Sequence, residues 1–163
     1  MSERIEQMVR DYPKNKMEQE CLLRQICSFR GITEQEMIDS LYFTRPDGER
    51  VQTSGSSDKT AMVALNYKSQ MARINEEWYD HLEDEYLKLT EELRFFESAV
   101  LSLPGIQGKV FQTLVFEQAT WEQAAEKFYI SRRTVGNYRA KAIEELTKMY
   151  ENREAQIDNY MLE

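Results

Sequence analysis

The sequence predicts an all-α protein, and three observations carry that expectation. Only three Pro and six Gly interrupt a 163-residue chain rich in Glu, Gln, Leu, Met and Lys, residue types that favour the helix. Apolar residues recur at spacings of three and four along most of the chain, the period of an amphipathic helix. Thr33 and Thr120 each stand three residues ahead of a partner, Glu36 and Gln123, the spacing of a capping box that opens a helix. The length leaves room for one ordinary domain and a small second module.

Residues 1–56 read as an N-terminal helical region. The first 30 residues are predicted helical with a break at Tyr12-Pro13, because proline disfavours helical geometry in the residue before it. Leu22, Leu23, Ile26 and Phe29 follow at helical spacing, and Gly31 sits at the expected C-cap. The box Thr33/Glu36 predicts a short helix carrying Met37, Ile38 and Leu41. Arg45-Pro46-Asp47-Gly48 then fits a tight turn, which allows a small β-hairpin near 41–53. The run Thr53-Ser54-Gly55-Ser56-Ser57 has the composition of a linker and marks a module boundary.

Residues 57–103 contain neither Pro nor Gly, with Asp58 the N-cap candidate and Leu103 the last residue before Pro104. One helix of roughly 45 residues and about 65 to 70 Å is therefore allowed. Tyr67, Met71, Ile74, Trp78, Leu82, Tyr86, Leu89, Leu93, Phe96, Val100 and Leu103 form its apolar stripe, a coiled-coil-like seam with a stutter from Ile74 to Tyr86. Such a stripe needs cover, either from the N-terminal helices or from a second copy in a homodimer through the long helix. Trp78, Tyr79, His81, Phe95 and Phe96 read as packing residues or their neighbours. Nine acids against Lys88 and Arg94 in residues 76–97 read as a solvated face that discourages nonspecific DNA contact.

Several function classes fall away on composition. No apolar leader and no run of about 18 uncharged apolar residues is present, so the expectation is a soluble, cytoplasmic protein with no membrane partner. Cys21 and Cys27 are predicted about 9 Å apart on a helix, too far for a disulfide, and read as half-buried core thiols in a reducing compartment. With His81 the sole histidine, no metal ligand set assembles. Neither a Gly-rich phosphate loop nor a nucleophile with its base is recognisable. We expect no catalytic residue, no enzyme activity and no cofactor.

The formal charge of -8 conceals a segregation. Residues 120–148 hold six Lys and Arg against four acids, and Ser131 to Ala142 holds Arg132, Arg133, Arg139 and Lys141 with no acid. Here the periodicity predicts three helices within residues 104–150. The first is centred on Val110, Phe111, Leu114 and Val115 and ends near Glu117. The second opens at the Thr120/Gln123 box and runs through Phe128, and the third starts after the N-cap Ser131 and reaches about Tyr150. Two helices joined by the turn Tyr129-Ile130-Ser131 make a helix-turn-helix, with Ala125 the small residue at the crossing and Ala124, Phe128, Ile130, Val135 and Tyr138 inward. Arg132, Arg133, Gly136, Asn137, Ala140 and Lys141 are left outward, with Arg139 at the flank and Thr134 near phosphates. Arg and Asn are the residue types that read guanine and adenine edges. Residues 151–163 read as an acidic tail.

The segment from Ala119 to Val135, followed by Ala140-Lys141-Ala142-Ile143-Glu144-Glu145-Leu146 and preceded by Leu103-Pro104-Gly105, resembles region four of bacterial sigma factors, the part that reads promoter DNA. The likeness covers about residues 100–150. Together with the acidic helical N-terminal half, the arrangement is similar to the phage late-gene transcription activators of Gram-positive bacteria, the ArpU and RinA type. The resemblance implies a sequence-specific transcription regulator whose partners are double-stranded DNA and RNA polymerase, with Arg132, Arg133, Gly136 and Asn137 facing bases. Two departures stand out: Tyr129 occupies a turn position often held by Gly, and Gly136 one often held by a basic residue. Nothing in residues 1–100 matches the DNA-melting region of a sigma factor. Two other functions fit the pattern: a small terminase-like DNA-packaging protein, and a module that binds RNA polymerase without touching DNA.

Overall fold

The computed structural model describes residues 2–33, 35–36 and 57–161, with side chains in the last stretch from Lys68 onward. These residues are all-α: five helices and no strand. They are α1 (Ser2–Cys27), α2 (Ser57–Ser102), α3 (Gly105–Phe116), α4 (Trp121–Phe128) and α5 (Arg132–Met161). The hairpin expected near 41–53 and the helix expected to carry Met37, Ile38 and Leu41 lie outside the described residues. The Thr33/Glu36 box is formed: the Thr33 amide donates to the Glu36 carboxylate at 2.9 Å, and the Glu36 amide donates to Thr33 Oγ1 at 3.4 Å. None of the described helices is long and apolar enough to cross a membrane.

By its contacts the chain divides into two compact units, Met1–Gln19 with Leu89–Glu163, and Glu20–Lys88. The first is built around Phe96, Val100, Leu103, Phe111, Val115, Ile143, Leu146 and Tyr150, on which Ile5, Met8, Val9 and Tyr12 of α1 are packed. Each such side chain contributes about 1.5 to 3 kcal/mol on burial. The C-terminal part of the stripe on α2 is thus covered by the chain's own helices.

That packing corrects the break expected at Pro13, which instead lies inside an unbroken α1. An interior proline costs a helix about 3 kcal/mol, through a lost hydrogen bond and a clash with the preceding turn. Tyr12 supplies the compensation: its ring lies 5.6 Å from those of both Phe96 and Phe116, and its hydroxyl donates to Glu97 at 2.8 Å.

Nor is the acidic run of α2 wholly solvated. Glu92 pairs with Arg4 of α1 at 3.3 Å, Glu91 with Arg153 of α5 at 2.9 Å and Glu97 with Lys16 at 3.1 Å, while Arg4 reaches Glu154 of α5 at 2.7 Å. Exposed pairs of this kind stabilise little, about 0 to 1 kcal/mol each. Their effect is to fix which faces of α1, α2 and α5 meet.

In the second unit α1 ends at Cys27, four residues before Gly31, after Ser28 caps the Arg24 carbonyl at 2.7 Å. Gly31 is therefore not the cap. Its φ is +70°, and a Cβ there would stand 2.6 Å from the Asn75 amide, whose Oδ1 accepts the Ile32 N–H at 2.6 Å. Phe29 leaves the helix and meets Tyr79 edge-on at 5.3 Å. Cys21 and Cys27 are free and exposed rather than half-buried, because the face of α1 that carries them is left uncovered by the described residues. Trp78, placed on the stripe, is half-exposed.

Candidate nucleic-acid interface

The three C-terminal helices form from local signals. Thr120 caps α4 with both halves of its box in place, Gln123 N–H to Thr120 Oγ1 at 3.2 Å and Thr120 N–H to Gln123 Oε1 at 2.8 Å. α4 closes in a Schellman motif, with Tyr129 N–H donating to Glu126 and Ile130 N–H to Ala125. Such a closure requires a left-handed residue, and Tyr129 takes that place with φ 55° and ψ 42°. Its side chain is 96% exposed and packs on nothing that would offset the strain. Ser131 Oγ then accepts the Thr134 N–H at 3.1 Å and starts α5.

Val110 of α3, Ala124 of α4 and Val135 of α5 are fully buried at the junction, flanked by Leu114, Ala125, Phe128, Ile130 and Tyr138. The fully buried small residue is Ala124, with Ala125 half-buried beside it. α5 runs on to Met161, beyond the end expected near Tyr150. The residues read as an acidic tail are helical through Met161 because Tyr150 seats in the core and Arg153 stacks on Phe95 at 4.3 Å while pairing with Glu91.

Of the residues singled out in the sequence, Ser131, Arg132, Arg133, Asn137 and Lys141 are exposed, and Thr134, Gly136 and Arg139 are half-buried. Arg133, Asn137 and Lys141 recur every four residues and form one ridge on α5, opposite Val135, Ala142 and Leu146. Among the described residues none of the three has a side-chain hydrogen bond or an ion pair. Three other bases of the segment are neutralised: Lys127 by Glu117 at 2.7 Å, Lys148 by Glu144 at 2.9 Å, and Arg132 by Glu122 at 2.8 Å. The bond from Lys127 holds the Glu117 carboxyl below its ordinary range, and Glu144 pushes the Lys148 ammonium up. Arg139 lines a groove of about 260 Å³ together with Ser2, Glu6 and Glu144.

Two participants escaped the sequence reading. Gly136 is not simply outward: a Cβ there would lie 3.1 Å from the Trp121 ring, so the indole rests against the bare backbone of α5. Glu122, beside it in the first turn of α4, reaches Arg132. Both follow from the crossing of α4 over α5, which spacing within a single helix does not encode.

Among the described residues no group of three or more His, Cys, Asp or Glu is placed to hold a metal ion. In comparisons with known proteins, no family model, curated protein or solved structure matches the chain.

Proposed function

We propose that the chain is a sequence-specific DNA-binding transcription regulator, akin to the phage late-gene activators it resembles, with α4 and α5 as its helix-turn-helix. The observation that carries the reading is the ridge Arg133, Asn137 and Lys141. Three exposed polar side chains project from one helix face, unpartnered among the described residues, within a twelve-residue stretch free of acids. A single α-helix fits a major groove. There Arg133 is suited to a guanine edge, Asn137 to an adenine edge and Lys141 to a phosphate. Acids on α2 repel duplex from that surface and leave the basic ridge as the electrostatically favoured one.

The test is fluorescence anisotropy of the full chain on duplexes recovered from a random pool. Binding weakens as salt rises, linearly on a log–log plot, the signature of phosphates neutralised by the cations of the ridge. Arg133→Ala costs about 1 to 3 kcal/mol on the selected site. Failure to enrich any sequence, or undiminished affinity of both Arg133→Ala and Asn137→Ala, overturns the proposal. Equal affinity for selected and scrambled duplex would favour a module that binds polymerase, and a ring of many subunits in solution a packaging protein.

A further inference from the structure

Among the described residues, Glu122 is the carboxylate that reaches a base at the start of α5: its Oε1 lies 2.8 Å from Nη1 of Arg132, with both side chains well exposed. A carboxylate at the entry of a surface meant for phosphates is a liability unless it serves that surface. We infer that Glu122 is a specificity-determining residue of the DNA-binding face, masking the charge of Arg132 toward nonspecific duplex while leaving it available to a cognate site. The inference rests on the DNA-binding reading.

Nonspecific and cognate complexes need different things from an arginine. Nonspecific binding is set by the number of phosphates neutralised, and a cation with an anion 2.8 Å away presents little net charge beyond a Debye length of about 8 to 10 Å. A cognate contact depends instead on donor geometry at close range. Guanidinium carries five N–H donors in a planar fork, and a single carboxylate paired with it, nearest at Nη1, cannot engage all five, so donors remain for a cognate acceptor. The carboxylate also restrains the fork from one side, which lowers the ordering cost of seating it. Because the pair is exposed it is weak, and a correctly placed acceptor competes with it. The neighbouring indole of Trp121, lying against Gly136 in the second turn of α5, holds the first turn of α4 against the N-terminal part of α5 and so keeps Glu122 within reach of Arg132.

The test compares Glu122→Gln, Arg132→Ala and the double variant with the wild-type chain on a selected duplex and on a scrambled one, across a salt series. Glu122→Gln is expected to tighten nonspecific binding about three- to tenfold and to steepen its salt slope by about one, since one more phosphate is neutralised. Cognate affinity changes less than about twofold, so the specificity ratio falls about three- to tenfold. In the Arg132→Ala background the same substitution leaves nonspecific affinity unchanged within about 1.5-fold, a result that mere removal of a repulsive charge would not give. An unchanged ratio, or an equal gain with and without Arg132, overturns the inference while the DNA-binding reading stands. Absence of binding to any duplex by the wild-type chain overturns that reading and the inference with it.

Discussion

Tyr150→Phe is expected to stabilise the protein. Tyr150 is 2% exposed, and its hydroxyl is buried with no hydrogen-bond partner among the described residues. An unsatisfied buried hydroxyl costs about 1 to 3 kcal/mol, whereas the ring contacts survive the substitution: Phe95 edge-on at 4.7 Å and the Arg4 guanidinium at 6.0 Å. The net gain at neutral pH is about 1 to 2 kcal/mol, or about 2 to 8 °C in Tm for a chain of this size. A second signature appears in alkali. Burial, reinforced by the charge of Glu92, pushes the Tyr150 hydroxyl up to about 12, and burial with the Glu97 bond does the same for Tyr12. Both stay protonated in the folded state where the unfolded chain releases the proton. Stability therefore falls as pH rises from 10 towards 12, by up to about 1.4 kcal/mol per pH unit for each group. Urea melts of wild type and Tyr150→Phe between pH 7 and 11 separate the two effects, with the variant losing about 1.4 kcal/mol less in total over that range, almost all of it above pH 10. A Tyr150→Phe protein that is less stable at pH 7, or one whose alkaline decline equals that of wild type, refutes the reasoning.

Other substitutions probe individual contacts. Pro13→Ala restores a donor to the interior of α1 and is expected to raise stability by about 1 to 3 kcal/mol, read by thermal melting; a loss would mean that the proline ring itself is needed by the core. Gly31→Ala meets both a φ of +70° and the Asn75 amide at 2.6 Å, and a loss of about 1 to 3 kcal/mol should accompany faster amide exchange at Ile32. Tyr129→Gly relieves the left-handed cost of about 1 to 2 kcal/mol without removing packing, so Tm should rise; a fall would show that the exposed ring makes a contact after all.

The long helix, both capping boxes and the apolar faces of the last three helices were legible because they depend on residues three or four apart. What depends on partners far along the chain was not. Pro13 looks like a stop until Tyr12 is seen between Phe96 and Phe116. The end of α5 looked close to Tyr150 because Glu151 to Met161 is polar by composition, yet its first turns are anchored across the core by Arg153 on Phe95 and Arg4 on Glu154. Cys21 and Cys27 read as apolar and proved exposed, since periodicity says which residues share a face but not whether that face is covered. At the interface, the ridge Arg133, Asn137 and Lys141 was readable from spacing, while the Glu122–Arg132 pair and the Trp121–Gly136 contact belong to the angle between two helices.

The central claim is that the outer ridge of α5 meets duplex DNA, and nuclear magnetic resonance maps that directly. Titrating a selected duplex into the isotope-labelled full chain is expected to shift the amides of residues 131–141 and the first turn of α4 saturably, and to leave those of Glu76 to Glu85 unmoved. Saturable shifts confined to any other face, or none at all, would contradict the account.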